Sequence, residues 1–227
     1  DTLPTQSLYG IIHEAGHGLY EQGHNPVHEG TPLGESVSLG IHESQSRLWE
    51  NMVGRSRAFC RYLFPIYSTV FPENMTDVTE EEFYAAINEV KPSLIRVEAD
   101  EITYNLHILL RFEIERGLFT GKYLAEDLPA VWNEKMEALL GIKPPNDGLG
   151  VLQDIHWSHG SFGYFPTYTL GNLYAAQFYQ AAEDDIPDLT GRISRGELLP
   201  LREWLKLNIY LPGMTYRASE LVKHVTG

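Results

Sequence analysis

Apolar residues recur every three or four positions along most of this chain, the period of helices with one buried face. Leu8, Ile11, Ile12, Ala15 and Leu19 form the first such stripe. They predict a helix opening at Pro4 and Thr5 and running to about Gln22, with Gly23 as its stop. A polar loop containing Gly and Pro follows from His24 to Gly34. Ile41, Leu48, Met52 and Phe59 predict a second long helix, starting near Ser36 or Ser38 and ended or kinked by Pro65. Thr79-Glu80-Glu81-Glu82 reads as a capping box opening a short helix. Pro92 breaks the pattern, and Leu94 to Glu98 has the character of a short strand. Ile102, Leu106, Leu109, Leu110 and Ile114 then predict an amphipathic helix over roughly Ala99 to Arg116, stopped at Gly117. Asp127 caps another that ends at Gly141. Helices resume over about Thr167 to Glu183, near Arg202 to Ile209, and from Tyr216 to Gly227. The class is therefore mainly α, with at most a small β-sheet, and no repeat or linker divides residues 1–227.

Composition narrows the possibilities. A chain of 227 residues buries a core without disulfides, and Cys60 is its only cysteine, which fits a reducing compartment. The formal charge of −14 argues against nucleic acid as a partner, because phosphate neutralisation needs clustered Lys and Arg. No run of about 18 apolar residues is long enough to span a membrane. Asp1 to Gln6 has neither the basic start nor the apolar stretch of a signal peptide. The segment Lys143 to Pro166, rich in Gly, Pro and aromatics, is longer than a structural connection requires, which points to function.

The strongest chemical signal is His13-Glu14-Ala15-Gly16-His17. Residues four apart on a helix face the same way, so two imidazoles can reach one zinc ion. Glu14 lies beside the first histidine, placed to take a proton from the water that zinc activates. A catalytic zinc needs a third protein ligand and an open position. Glu43 is the candidate; His42 and Glu50 are its rivals by proximity, although His42 points about 100° away from Glu43 around the helix. Arg47, one turn on, can pair with a ligand carboxylate or form a surface ion pair.

HEAGHGLYEQG, IHESQSRLWEN, IRVEADEITYNLHI and WSHGSFGYFPTYTLGN together resemble the M32 family of metallocarboxypeptidases, the thermostable carboxypeptidase group. The resemblance implies a zincin-like, mainly helical fold with a deep active-site groove. It implies release of single residues from peptide C-termini, using zinc or, in some members, cobalt. It gives His13, His17 and Glu43 as ligands and Glu14 as general base. Arg96 is implied to bind the terminal carboxylate and Tyr168 to assist the tetrahedral intermediate; His156 and His159, by their own chemistry, can donate at the same substrate site or instead stabilise the core or loop. A guanidinium fork matches a carboxylate, and a tyrosine hydroxyl can donate to an oxyanion. The resemblance also implies a homodimer, while the acidic charge and lone cysteine favour a cytoplasmic location. The chain corresponds to the C-terminal half of a longer family pattern and lacks that family's Asp-x-Arg-x-Thr motif. The expected activity is therefore a zinc carboxypeptidase. An endo- or oligopeptidase, and a metal-binding module without turnover, are the alternatives.

Overall fold

The structure, a computed structural model, describes residues 4–227, with the Pro4 side chain excepted; of Asp1 to Gln6, the first three residues lie outside that range. Ten α-helices follow in order among the described residues: α1 (Pro4–Gln22), α2 (Leu39–Arg47), α3 (Arg57–Val70), α4 (Glu80–Ile87), α5 (Glu101–Phe119), α6 (Leu128–Leu140), α7 (Pro166–Asp185), α8 (Leu189–Ser194), α9 (Leu199–Leu205) and α10 (Ala218–Thr226). Two compact units result among the described residues, one of residues 4–87 with 170–227, the other of residues 88–169. The first is cored by Tyr20, Ile41, Leu48, Phe178, Leu205 and Tyr210. Leu110, Ile114, Trp132, Met136 and Leu140 core the second.

No strand occurs among the described residues, and Leu94 to Glu98 shows why. Its backbone is satisfied by one side chain rather than by a neighbouring strand. The Arg96 amide donates to Gln153 Oε1 at 2.9 Å, and Gln153 Nε2 donates to the Leu94 carbonyl at 3.0 Å. With both groups taken, the segment closes into a 3₁₀ turn at Arg96–Glu98.

Several boundaries differ from the periodicity. The second long helix is three pieces: α2, capped by Ser38 Oγ on the Ile41 amide at 3.1 Å; a wide π-helical stretch Leu48–Gly54; and α3, capped by Ser56 Oγ on the Phe59 amide. Pro65 does not end α3, which runs on to Val70. Its missing N–H strands only the carbonyl of Arg61, and Arg61 and Pro65 both lie on the exposed side. Gly117 does not stop α5. The ring of Tyr123 packs where its Cβ would be, and Gly121, at φ 72°, ends the helix. Asp127 stands at the start of α6, yet its carboxylate accepts from the Leu124 amide. The capping box at Thr79 forms as expected, with Glu82 accepting from the Thr79 amide and Thr79 Oγ1 from the Glu82 amide. No helix among the described residues is long and apolar enough to cross a membrane.

The buried sides of two helices also differ from their apolar stripes. On α1, Tyr9, Gly16, Tyr20 and the following Gly23 are buried, while Ile11 is 68% exposed. A Cβ on Gly16 would lie 2.6 Å from the Gln45 carbonyl oxygen and 2.7 Å from Ser46 Cα, so α1 meets α2 backbone to backbone. On α5 the buried side includes Tyr104, His107, Arg111 and Glu115, and Ile102 faces out.

Gly16→Ala is expected to cost about 1–3 kcal/mol, the usual price of overpacking. It should also weaken the site described next, by pushing α1 off α2. Urea unfolding checks the first effect, and an unchanged midpoint would mean the two helices can separate freely.

Candidate metal centre

α1 and α2 bring three potential ligands to one point. His13 Nε2 is 3.9 Å and His17 Nε2 3.6 Å from Glu43 Oε2. One ligand atom from each residue lies within 4.8 Å of the others. Tetrahedral ligands at zinc distances stand about 3.3 Å apart, so the trio matches the spacing of such a site before it draws in. Two imidazole nitrogens and one carboxylate oxygen suit a borderline metal, and three protein ligands leave a fourth position open.

Each of the three candidate ligands is held from behind. The Glu43 carboxylate is buried, with its stem against Gly171 of α7, where an added Cβ would sit 2.5 Å from Glu43 Cγ. Arg47 Nε donates to Glu43 Oε1 at 2.9 Å, leaving Oε2 toward the imidazoles. Glu50, one of the rival ligands, takes Nδ1 of His13 at 2.8 Å instead. Burial alone would raise the Glu50 carboxyl. The His13 hydrogen bond and the charges of Arg47 and Arg55 outweigh it and hold the carboxyl below its ordinary value. His42, the other rival, sits behind His17, with the two Nδ1 atoms 2.6 Å apart. His42 Nε2 in turn meets Glu21 Oε1 at 2.8 Å. Burial and the neighbouring rings of His13 and His42 push His17 down to about 4, so it is neutral and able to lend a lone pair.

Glu14 points away from this support. It is exposed, on a shallow face of α1 with Ser7, Gly10, Ile11 and Gly18. Ala15, Leu19 and Gln22 line the same face.

The remaining candidates lie in the second unit. Arg96 is buried, its Nε and Nη2 donating to Asp154 Oδ1 at 3.0 and 2.8 Å and its Nη1 to the Tyr104 hydroxyl at 2.8 Å. Its guanidinium lies 4.7 Å from the centre of the Tyr168 ring. His156 Nε2 is 3.0 Å from the Tyr168 hydroxyl, and its ring packs, tilted by 35°, against Phe165. His159 is exposed. Sequence reasoning passed over the partners. Arg111 of α5, fully buried, reaches Asp154 Oδ2 at 2.6 Å through Nε. His107 lies beside it, and burial with the two arginine charges lowers it to about 4. Burial would raise Asp154, but Arg111 and Arg96 together hold it below the carboxylate range. A legible signal existed: Tyr104, His107, Arg111 and Glu115 recur at helical spacing in phase with buried Ile108 and Ile114.

A sequence model of the family described as "Carboxypeptidase Taq (M32) metallopeptidase" matches residues 1–227. Thermostable carboxypeptidase 1 of Thermus thermophilus is 54% identical over 220 residues, covering 97% of this chain and 43% of the relative. Carboxypeptidase 1 of Bacillus subtilis is 43% identical over 221 residues, covering 97% and 44%. The crystal structure of an M32 carboxypeptidase from Deinococcus radiodurans superposes with a TM-score of 0.95 at 50% identity, over 99% of this chain and 45% of that one. The chain thus spans less than half the length of the relatives it matches.

Asp154→Asn should leave two buried guanidiniums without a carboxylate, at a cost of about 3–5 kcal/mol. A carboxyl held low stabilises the fold fully above its unfolded pKa of about 4, and that contribution disappears as pH falls through the lower folded value. Unfolding midpoints recorded down the acid range should therefore drop for the wild type and show less of that drop in the variant. Parallel curves would remove Asp154 from the acid response.

Proposed function

The chain belongs to the M32 metallopeptidase family, matching the C-terminal portion of its pattern, and from that premise we propose that it is a zinc-dependent carboxypeptidase built on His13, His17 and Glu43. The observation that carries the reading is the convergence of those three side chains, each with its own partner behind it, next to an exposed Glu14. Cobalt is the alternative metal. On this reading residues 1–227 are part of one catalytic domain; the resemblance adds a homodimer, which sedimentation of the purified chain tests, and the acidic charge and lone Cys60 favour a cytoplasmic location.

Zinc in such a site supplies a Lewis acid that polarises the scissile carbonyl and acidifies water. The protein's residues do the rest. Glu14 accepts a proton from the attacking water as its oxygen bonds to the carbonyl carbon. It then returns that proton to the leaving amine as the C–N bond breaks, which balances the step. Arg96 recognises the substrate's terminal carboxylate. Two guanidiniums share the single Asp154 carboxylate, so an incoming carboxylate meets uncompensated positive charge. Tyr168, oriented by His156, donates to the developing oxyanion, and His159 contributes to substrate binding.

Glu14→Gln should retain stoichiometric metal while lowering kcat by about 10²–10⁴-fold, because an amide cannot take the proton. The assay is release of free amino acid from a short unblocked peptide, with metal content measured alongside. A wild-type rate in the variant would end the assignment of Glu14. The same assay on a C-terminally amidated peptide separates exopeptidase from endopeptidase, since only an endopeptidase cleaves both equally. Arg96→Ala should lose activity on the free peptide selectively. Bound metal with no release by the wild type would favour a peptide-binding module instead.

A further inference from the structure

His17 can lend its Nε2 lone pair to a metal only as the tautomer that carries hydrogen on Nδ1. A free imidazole has no strong reason to hold that form, and the partner across Nδ1 decides the matter. That partner is an imidazole, unlike the carboxylate behind His13. His17 Nδ1 and His42 Nδ1 stand 2.6 Å apart, so one must donate and the other accept. If His42 carried hydrogen on Nδ1, two N–H groups would collide, or His17 would have to move its own hydrogen to Nε2 and close the metal position. What prevents this lies on the far side of the His42 ring. Its Nε2 is 2.8 Å from Glu21 Oε1, and a carboxylate only accepts. Glu21 therefore keeps a hydrogen on His42 Nε2, and in a neutral His42 ring Nδ1 is left to accept from His17 Nδ1.

We propose that His42, set by Glu21, is a positioning residue that fixes His17 in its metal-binding tautomer. The Glu21–His42–His17 relay follows from helix spacing. Glu21 and His17 are four apart on α1, and His42 reaches across from α2 between them. The two ligands of the HExxH pair are thus braced differently. His13 leans on a carboxylate clamped by Arg47. His17 depends on a relay whose last member has a side chain 55% exposed, so solvent competes with it.

The inference rests on the metal reading above, and the test separates the two. Zinc affinity is measured by chelator competition on the 227-residue chain, with His13→Ala as the ligand control. His42→Phe fills the space but cannot accept, and should weaken zinc about 10–100-fold, the usual effect of losing an outer-shell partner. His42→Asn places an amide oxygen where Nδ1 was and should recover most of that loss. Glu21→Leu, on the surface, should weaken zinc by a smaller factor, even if His42→Phe fails to fold. Side-chain ¹⁵N spectra give a second readout: metal-free His17 should be the Nδ1–H form in the wild type and a mixture in Glu21→Leu. Zinc affinity unchanged in both His42→Phe and Glu21→Leu, with His13→Ala weakened, would overturn the relay and leave the metal site standing. No zinc uptake by the wild type would overturn both.

Discussion

Everything at the metal centre depends on how closely two backbones approach. α1 crosses α2 at Gly16, where there is no room even for a methyl group. That contact sets the separation between the His13 and His17 rings on one helix and the Glu43 carboxylate on the other. α7 presses from another side through Gly171, again without a Cβ, and confines the Glu43 stem. A carboxylate so confined has few rotamers left to lose when a metal arrives, which is the physical content of preorganisation. The arrangement also redistributes the surface of α1. The side that carries the histidines turns inward, and Ile11 and Glu14 are left outside.

The polar groups show how buried charge is made tolerable. Around Glu43 and Glu50 the charges come in opposed neighbours, with Arg47 bridging both carboxylates. For Glu50 these charges outweigh burial and hold its carboxyl below the ordinary value. In the second unit Asp154 is held between Arg96 and Arg111; Arg96 Nη1 also donates to the Tyr104 hydroxyl and Arg111 Nη1 to the His107 carbonyl. There the balance is unequal, two cations to one anion. Such an excess is costly in isolation, and the close packing of Asp154 between the two guanidiniums offsets it.

Much of this was legible in order of residues alone. The α1 span, the Thr79–Glu82 cap, the Ser38 start of α2 and the stop at Gly141 rest on local hydrogen bonding and backbone geometry, which act within a few residues. His13, His17 and Glu14 are tied by one turn of helix. The strand expected at Leu94 was not so constrained, because its fate rested on Gln153, 59 residues from Leu94. The single long second helix likewise overlooked the widening at Leu48–Gly54, which no short-range pattern marks.

Sequence by itself determined which chemistry was present: a pair of imidazoles at helical spacing, a carboxylate beside them, and a set of motifs shared along the chain with the M32 relatives. Tertiary structure alone decided how the acids and histidines of α1 and α2 divide their work. Glu43 turns toward the imidazoles while Glu50 and His42 stand behind them, although all three lie within nine residues. The reason is that helical spacing fixes direction only around a single axis. Which of several neighbouring side chains meets another helix depends on where the two axes touch, and here a glycine on one helix and the backbone of the other set that point.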